Sequence, residues 1–476
     1  MLEREIFKAN DVRGTVTGEP PQWDEAGARA IGAAFVELVG LNGQRFVLGR
    51  DMRTSGVAMA TAFIQGALAR GASVLDTGLA STDQLWFASG SMDVPGVQLT
   101  ASHNPADYNG IKFCRSGARP VTADFLVQLA DRAIEIDASG EFAAAGPVPE
   151  DWSPERYRRV ETLDAYAEHL RSLVDWQDLR PLRVVVDAGN GMAGHTVAAA
   201  LDPLNVEVIG LFLDLDGSFP NHQPNPLEPE NLVDAQQAVR DHGADLALVF
   251  DGDADRCFII DERGEVVNPS AITALIAAAE LAREPGGTIV VNSVTSQTVA
   301  EVVAEHGGEL VVSPVGHTYV KALMAEHDAV FGGEHSAHYY FRDFWRADTG
   351  MLAALHVLTL LGHDERPLSQ LVADYERYCS SGEINSVVAD VTASMQKVAA
   401  AFAPRAEADW SDGLLLAGEA EGRGPWRISL RPSNTEPLLR LNVEARDPEV
   451  MEALRDDVLD LVRNNGDDPD PNGDPR

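Results

Sequence analysis

Short apolar runs rich in β-branched residues recur along the chain, and each is followed by a polar turn and an alanine-rich segment with helical spacing. The clearest cases are "RFVLGRDMRTSG" before "VAMATAFIQGALARG", "LRVVVDAGNGMAG" before "HTVAAAL", and "TIVVNSVTSQ" before "TVAEVVAEHGG". A strand, a turn and a helix in this order predict parallel or mixed sheets that are covered by helices. Because ligands bind beyond the carboxyl ends of the strands in such sheets, the turns after these runs are candidate sites.

The last part of the chain has a different pattern. The strand-like segments "WRISL" and "LLRLNVEA" precede one helical segment, "DPEVMEALRDDVLDLVRN", which predicts an α+β unit. The final stretch "NNGDDPDPNGDPR" is polar and rich in proline, so we expect it to be disordered.

Length and changes in composition indicate several domains. A chain of 476 residues is too long for one hydrophobic core. The stretches "ASGEFAAAGPVPEDWSPERY", "DERGE" and "YERYCSSGEINS" look like boundaries between units. The predicted units are three α/β domains at 1–160, 161–262 and 263–375, a smaller α+β domain at 376–464, and a tail at 465–476.

The composition narrows the class of protein. Hydrophobic residues make up 45% of the chain and charged residues 23%, as in a globular protein, and no apolar run is long enough to span a membrane. The formal net charge of −37 argues against nucleic-acid or membrane partners, because phosphate groups would be repelled over most of the surface. A host whose whole proteome is acidic would also explain this charge. Three scattered cysteines and the lack of a recognisable secretory signal lead us to expect a cytoplasmic protein.

The segment "LTASHNP" ends a predicted buried strand with side chains that are suited to group transfer. Ser102 could act as a nucleophile or a phosphate carrier, with His103 beside it and Lys112 shortly after it. Taken alone, Ser102 and Asn104 are ordinary turn formers, and His103 is an ordinary surface imidazole. A serine hydrolase gains no support, because the chain has no G-x-S-x-G element.

The segment "DLALVFDGDADRCFII" places Asp251, Asp253 and Asp255 at the end of an apolar strand. Three carboxylates this close repel one another unless a cation neutralises them. Mg²⁺ is the hard divalent ion that best suits such oxygen ligands. An EF-hand is excluded although Glu262 stands at the twelfth position, because Arg256 occupies the sixth position, where a glycine is needed.

Two further loops carry groups that could bind a sugar phosphate. The segment "FGGEHSAHYYF" contains Glu334 and Ser336, which could form hydrogen bonds with hydroxyl groups, but the loop alone is weak evidence. In "RPSNTEP", a guanidinium, hydroxyls and consecutive backbone amides could cradle a phosphate dianion, although a polar β-turn would look the same. The candidate phosphate-binding residues of this segment are Arg431, Ser433, Asn434 and Thr435.

Together the four loops predict a phosphoryl-transfer site that acts on a sugar phosphate. At this point the chain resembles the α-D-phosphohexomutase superfamily, because "TASHNP", "DGDADR", "GEHSAH" and "RPSNTEP" are similar to its four signature loops and come in the same order. The resemblance covers nearly the whole chain, from "KANDVRG" to "LVRN", and is greatest to the bacterial phosphomannomutase branch. It implies four domains around a central cleft, with one signature loop in each domain.

The resemblance also implies a mechanism and roles for single residues. Ser102 is implied to be a phosphoserine that exchanges its phosphoryl group with a hexose monophosphate through a hexose 1,6-bisphosphate, so that phosphate moves between the 6- and 1-positions. One Mg²⁺ is implied to lie between Ser102 and the three aspartates. The implied catalytic residues are Ser102, His103, Lys112, Arg13 and Arg256, the sugar-binding residues are Glu334, Ser336 and His317, and the phosphate-binding residues are those of "RPSNTEP".

Some positions depart from the family pattern and leave the substrate open. Asn10 stands where relatives often have an aromatic residue, Ala337 stands where many have glycine, and Val294 stands where some have lysine. We expect a mannose phosphate as substrate, with a glucose phosphate or both sugars as the alternative, and glucosamine phosphate ranked lower. A noncatalytic sugar-phosphate binding protein and a phosphatase are the other hypotheses. The expected state is a monomer or a dimer.

Overall fold

The computed structural model of the chain describes residues 2–144, 146, 152–432 and 438–463. Within these residues the strands form four sheets, and each sheet with its helices is called a domain below, numbered I to IV in chain order. None of the helices in these ranges combines the length and the apolar composition needed to cross a bilayer.

Domain I contains a mixed seven-stranded sheet. Its strands are β1 (Val12–Thr15), β2 (Arg45–Arg50), β3 (Ser73–Leu79), β4 (Gly96–Leu99), β5 (Tyr108–Arg115), β6 (Arg119–Pro120) and β7 (Tyr157–Arg159). Its helices are α1 (Glu25–Val39), α2 (Gly56–Ala69), α3 (Thr82–Met92) and α4 (Ala123–Ser139). The strand order is β1-β5-β4-β2-β3-β7 with β6 beside β5, and the central strands β4, β2 and β3 run parallel.

Domain II contains a four-stranded sheet in the order β11-β10-β8-β9. Its elements are α5 (Leu163–Ser172), β8 (Leu182–Asp187), α6 (Ala193–Leu201), β9 (Val206–Leu211), a 3₁₀ turn (Pro229–Leu232), α7 (Val233–His242), β10 (Leu246–Phe250) and β11 (Cys257–Asp261). Strands β10, β8 and β9 are parallel, whereas β11 returns antiparallel to β10 as a hairpin.

Domain III contains a five-stranded sheet in the order β13-β12-β14-β15-β16. Its strands are β12 (Thr288–Asn292), β13 (Glu309–Ser313), β14 (Phe331–Gly333), β15 (Tyr339–Phe341) and β16 (Ala347–Asp348). Its helices are α8 (Pro269–Arg283), α9 (Gln297–Glu305), α10 (His317–Glu326), α11 (Gly350–Gly362) and α12 (Leu368–Val372). The predicted strand, turn and helix units are present in all three α/β domains, as β2 to α2, β8 to α6, and β12 to α9.

Domain IV is built differently, as an antiparallel sheet with two helices. Its elements are β17 (Cys379–Ser380), β18 (Ile384–Val387), α13 (Val391–Phe402), β19 (Glu407–Asp409), β20 (Leu414–Ala420), β21 (Gly424–Pro432), β22 (Leu438–Ala445) and α14 (Pro448–Arg463). The strand order is β17-β22-β21-β20-β19, with β18 also beside β22. The fold is therefore the predicted one, three α/β domains with mixed sheets and one α+β domain.

The apolar core follows the same division. One continuous cluster of buried hydrophobic side chains includes residues of domains I, II and III, such as Val47, Val184 and Leu355. Domain IV has its own cluster, centred on strands β20 to β22 and on the inner faces of α13 and α14. Domains I to III thus share one cluster, although much of domain I forms a second cluster of its own around Phe35 and Phe113, and domain IV adds no residue to the shared cluster.

Candidate active site

The serine loop connects β4 to β5 in domain I and turns sharply at Ser102. Ser102 has a backbone φ of 49°, in the left-handed region that disfavours residues other than glycine. Its N–H donates to Thr100 Oγ1 at 2.9 Å, and its side chain is buried. The sequence therefore places a hydroxyl at the carboxyl edge of the sheet in a backbone conformation that the surroundings must hold.

The aspartate loop is the turn of the β10–β11 hairpin in domain II, between two strands that are buried along their whole length. Asp251, Asp253 and Asp255 are also buried. Gly252 lies so close to the serine loop that a Cβ atom there would be 2.5 Å from the carbonyl oxygen of Ser102. Only glycine lets the two loops approach this closely.

The two loops meet although they are far apart in the chain. Ser102 Oγ donates to Asp251 Oδ2 at 2.9 Å. The ammonium of Lys112, on β5, lies 2.7 Å from Asp253 Oδ2 and also contacts the carboxylate of Asp255. The structure therefore brings together the predicted serine, the lysine and all three aspartates.

The other predicted catalytic residues lie around this contact. Arg256 Nε donates to Asp251 Oδ2 at 2.9 Å, and its Nη2 lies 2.7 Å from His103 Nδ1. The same nitrogen of His103 is 3.3 Å from Ser102 Oγ. Arg13 lies further out, where its guanidinium donates to Asn104 Oδ1 at 2.9 Å on the far side of the serine loop.

Burial and charge act on the aspartates in different ways. Burial raises the pKa of Asp251 to about 7, and the carboxylate of Asp255 adds to this rise against the pull of Arg256. Burial would also raise the pKa of Asp253, but the ammonium of Lys112 outweighs it and holds that pKa below its ordinary value. Lys112 and Arg256 are the cationic side chains that pair with the three carboxylates. Negative charges therefore outnumber positive charges within these ion pairs.

The donor set fits a hard divalent cation. One oxygen from each of the three aspartates lies within 4.8 Å of the others. Asp253 Oδ1 and Asp255 Oδ1 are buried and have no hydrogen-bond partner among the described residues. Buried carboxylate oxygens are rarely left without a partner, and oxygen ligands of this kind suit Mg²⁺.

A cavity of about 740 Å³ opens next to the cluster and is large enough for a sugar phosphate. The side chains of domains I, II and III that line it include Lys8, Asn10, Arg13, Ser102, His103, Lys112, Asp255, Arg256, His317, His338 and Asp348. Asn10 accepts a hydrogen bond from Thr318 Oγ1 at 2.9 Å, which ties the first segment of the chain to α10. The cavity is therefore polar and carries several cationic groups.

The predicted sugar loop follows β14 in domain III. Glu334 is buried, and its carboxylate accepts from Asn292 Nδ2 at 3.0 Å and from Tyr340 OH at 2.6 Å. Ser336 Oγ lies 2.9 Å from His338 Nδ1, so Ser336 adjoins the cavity through a histidine that lines it.

Two residues near the sugar loop, His317 and Ala337, have unusual surroundings or backbone geometry. His317 lies at the start of α10, and burial together with the nearby charge of Lys321 lowers its pKa to about 3. Ala337 has a φ of 62°, in the left-handed region that glycine adopts more readily than alanine.

The phosphate loop is only partly described. Arg431 lies near the end of β21, whereas Ser433, Asn434 and Thr435 lie outside the described residues. Arg440 on β22 pairs directly with Arg431 across the hairpin. Among the described residues, the Nε atoms of both arginines are buried and have no hydrogen-bond partner. Like charges opposite each other destabilise a strand pair, and here each guanidinium also has a carboxylate nearby, Asp412 at 3.8 Å from Arg431 and Glu383 at 3.6 Å from Arg440.

Sequence reasoning missed several residues of the site. Arg440 could have been found from the hairpin itself, because antiparallel pairing around "SNTEP" places residue 440 opposite residue 431. Thr82 Oγ1 donates to Asp253 Oδ2 at 2.6 Å, and nothing in "ASTDQLW" signals this contact. His338, which the sequence offers only as one of several hydrogen-bonding groups of its loop, lines the cavity.

Comparison with known proteins identifies the family. Sequence models of the phosphoglucomutase/phosphomannomutase family match in four consecutive parts: alpha/beta/alpha domain I at residues 4–139, domain II at 164–264, domain III at 268–378, and the C-terminal domain at 383–461. A protein of Salmonella montevideo named phosphomannomutase is 40% identical over 465 residues, which is 96% of this chain and 98% of that protein. A Xanthomonas campestris pv. campestris protein named phosphohexose mutases is 40% identical over 461 residues, with 96% and 99% covered.

A solved structure agrees with the sequence relatives. The crystal structure of a phosphoglucomutase/phosphomannomutase family protein from Burkholderia thailandensis superposes with a TM-score of 0.84 and 30% sequence identity. The match covers 98% of this chain and 99% of the Burkholderia chain. The chain therefore belongs to the phosphoglucomutase/phosphomannomutase family and is an enzyme of the phosphohexomutase kind.

Proposed function

We propose that this enzyme is a phosphomannomutase, which interconverts mannose 6-phosphate and mannose 1-phosphate through a phosphoserine at Ser102 and a hexose 1,6-bisphosphate. The observation that carries the proposal is the 2.9 Å contact between Ser102 Oγ and Asp251 beside a polar cavity. The names of the relatives that are about 40% identical favour mannose as the sugar.

The chemistry is a reversible phosphoryl transfer. The bond between Ser102 Oγ and phosphorus breaks, a bond from phosphorus to a sugar hydroxyl oxygen forms, and the proton of that hydroxyl ends on Ser102 Oγ. The bisphosphorylated sugar then turns around and returns its other phosphoryl group to Ser102. His103 Nδ1 lies 3.3 Å from Ser102 Oγ and 2.7 Å from Arg256 Nη2, so we propose that it acts beside the transferring group as a hydrogen-bond acceptor.

Asp251, Asp253 and Asp255 are the residues that would hold Mg²⁺. The bound ion would withdraw negative charge from the phosphoryl oxygens. Lys112, Arg13 and Arg256 supply further positive charge around the transferring group. One Mg²⁺, with hexose 1,6-bisphosphate as activator, is our proposed cofactor set.

The remaining residues are proposed to bind the substrate. Glu334, Ser336 and His317 read the sugar hydroxyls on the side of domain III. Arg431, with Ser433, Asn434 and Thr435, grips the phosphate that does not react, and Arg440 joins them because it faces Arg431 across the hairpin.

A second candidate is a dual-specificity enzyme that also accepts glucose phosphates. The Xanthomonas relative is named for phosphohexose mutases in general, which favours this breadth. We place the enzyme in the cytoplasm as a monomer or dimer, in keeping with its three free cysteines.

The test is the Ser102→Ala variant, assayed with mannose 1-phosphate, Mg²⁺ and a bisphosphate primer. We expect it to lose at least about a thousandfold in isomerisation, because the phosphate carrier is gone. Ser116→Ala is the matched control, since Ser116 lies in the β5–β6 turn of the same domain away from the cavity lining. Full activity of Ser102→Ala would refute the phosphoserine mechanism.

Intact-mass analysis separates the competing hypotheses. A mutase carries one added phosphoryl group on the peptide with Ser102 after reaction with the bisphosphate. A noncatalytic binding protein carries none, and a phosphatase releases inorganic phosphate without forming the isomer. Parallel kinetics on mannose, glucose and glucosamine 1-phosphates decide the preferred sugar.

A further inference from the structure

Arg53 has an unusual set of contacts in the turn between β2 and α2. Its side chain is fully buried, and the two terminal nitrogens of its guanidinium donate to main-chain oxygens of the serine loop and of the start of β5. The four acceptors are the carbonyl oxygens of Ser102 at 2.8 Å, Asn104 at 2.6 Å, Pro105 at 2.6 Å and Tyr108 at 3.0 Å. One side chain therefore fixes the whole course of the loop that carries the serine.

The guanidinium is itself held from two other sides. Arg53 Nε lies 3.2 Å from the buried carboxylate of Asp51, and the Arg53 N–H donates to the same side chain at 3.0 Å. From domain II, the ring of Phe219 lies 5.1 Å from the guanidinium carbon. Gly217 lies so close that a Cβ atom there would be 2.6 Å from Arg53 Cα.

The serine loop needs such a support. A serine at a φ of 49° is less stable than in an extended or helical conformation. Without the guanidinium, the carbonyl oxygens of Ser102, Asn104 and Tyr108 would lose this donor, and that of Pro105 would keep only the N–H of Tyr108 at 3.1 Å. A relaxed loop would move Ser102 Oγ away from Asp251, which accepts its hydrogen bond at 2.9 Å.

We propose that Arg53 is a positioning residue for phosphoryl transfer, which holds Ser102 in line with the aspartate loop through the main chain of residues 102–108. The inference rests on the proposed phosphoserine mechanism. Arg53 exchanges no proton and touches neither Ser102 Oγ nor the reacting phosphorus. Its effect therefore falls on the transfer step and not on the affinity for the sugar phosphate.

The direct test is the Arg53→Lys variant, because one ammonium keeps the charge but cannot reach four carbonyl oxygens. We expect phosphoryl transfer from hexose 1,6-bisphosphate to Ser102, followed by quenched flow and intact mass, to slow by about 100-fold. KM for the hexose phosphate should stay within about threefold, since the cavity lining is unchanged. Amide exchange in residues 102–108 should become faster.

Arg29→Lys is the matched control. Arg29 is another buried arginine of domain I, and its guanidinium donates to the carbonyl oxygen of Phe142 at 3.1 Å and to Gln65 Oε1 at 3.3 Å. It has no contact with the serine loop among these bonds. We expect Arg29→Lys to change stability but to leave the transfer rate within about twofold of wild type.

A milder variant keeps the test decisive if Arg53→Lys does not fold. Phe219→Leu removes the ring beside the guanidinium but leaves all four hydrogen bonds possible, so we expect transfer to slow by about three- to tenfold with KM unchanged.

Three results would overturn the inference while the wild type still carries phosphate on Ser102. They are transfer at the wild-type rate in folded Arg53→Lys, a rise in KM without a slower transfer, and unchanged amide exchange in the serine loop. A wild-type enzyme that never carries phosphate on Ser102 would instead refute the proposed function, and the transfer role of Arg53 with it.

Discussion

The boundary that joins domains I, II and III differs in kind from the boundary that joins domain IV to domain III. In the first, the buried carboxylate of Asp83 accepts from one hydroxyl of each domain. These donors are Ser81 in domain I at 2.5 Å, Tyr166 in domain II at 2.6 Å and Thr349 in domain III at 2.7 Å. All four residues are inaccessible to solvent, and a continuous apolar core surrounds them.

The boundary of domain IV is polar and partly open to water. Glu444 binds Ser296 Oγ and the backbone N–H of Gln297 at the start of α9. Arg446 pairs with Glu301 on the same helix at 2.6 Å, with side chains that are 45% and 27% exposed. Domain IV keeps its own apolar core, so no shared hydrophobic cluster crosses this boundary in the described residues.

The difference between the two boundaries divides the proposed site into a part on domains I to III and a part on domain IV. The groups that we propose to transfer the phosphoryl group come from domains I to III, whose boundary has buried hydrogen bonds and a shared apolar cluster. The arginines that we propose to bind the other phosphate lie on domain IV, whose boundary includes the partly exposed ion pair of Arg446 with Glu301. We therefore expect domains I to III to stay rigid during a turnover and domain IV to open and close around the sugar.

The largest effect should come from Asp83→Ala. The substitution leaves three buried hydroxyls without an acceptor, and we expect the free energy of unfolding of domains I to III to fall by about 3 to 4 kcal/mol. Denaturant unfolding followed by circular dichroism measures this. The control is Asp124→Ala on the exposed first turn of α4, with a change below about 0.5 kcal/mol. An equal change in both variants would contradict the contrast.

The next largest effect is the pH dependence of the stability that Asp83 contributes to the fold. Burial raises the pKa of Asp83 to about 6, so the folded protein binds the proton more tightly than the unfolded chain. Its contribution to stability is therefore full below about pH 4 and is lost as the pH rises to about 6, by up to about 3 kcal/mol. The difference between the unfolding midpoints of wild type and Asp83→Asn, measured from pH 4 to 7, isolates the pH-dependent contribution of Asp83. A gap between the two that does not change with pH would rule this account out.

A smaller effect is expected at the domain IV boundary. Glu444→Ala removes a carboxylate from the start of α9 and should cost about 1 kcal/mol. Amide exchange should become faster at residues 296–299, while the unfolding of domains I to III stays unchanged. If Glu444→Ala destabilised the whole molecule as much as Asp83→Ala, the two boundaries would be equivalent.

The smallest effect is expected for the exposed ion pair of Arg446 with Glu301. Because both side chains are partly exposed, their coupling energy in a double-mutant cycle with alanine should be below about 0.5 kcal/mol. It should shrink further in 1 M salt as charges are screened. A coupling energy above about 2 kcal/mol would show that this boundary is not as loose as we infer.

Much of the fold and part of the site could be predicted from short segments. The β2 to α2 unit follows from an apolar run, a polar turn and an alanine-rich helix, because local periodicity reflects which face is buried. Ser102 and the three aspartates stood out because their chemistry is concentrated in a few neighbouring residues after a buried strand.

Other residues could not be found in this way. Arg53 looks like any charged turn residue in "GRDMRTSG", and only the folded loop brings four carbonyl oxygens to its guanidinium. Asp83 reads as an ordinary residue of the first turn of a helix, yet it accepts from three domains. Such roles depend on partners up to 266 residues away, as for Asp83 and Thr349, which no local pattern records.

The amino-acid sequence alone therefore determined the alternation of strands and helices, the four reactive loops and the chemistry that each loop carries. Tertiary structure alone decided that Ser102 Oγ meets Asp251, which carboxylate oxygens lack a partner, and which boundaries between domains are dry. The physical reason is that side-chain type and period are local properties, whereas burial and hydrogen-bond partners arise only when distant segments pack together.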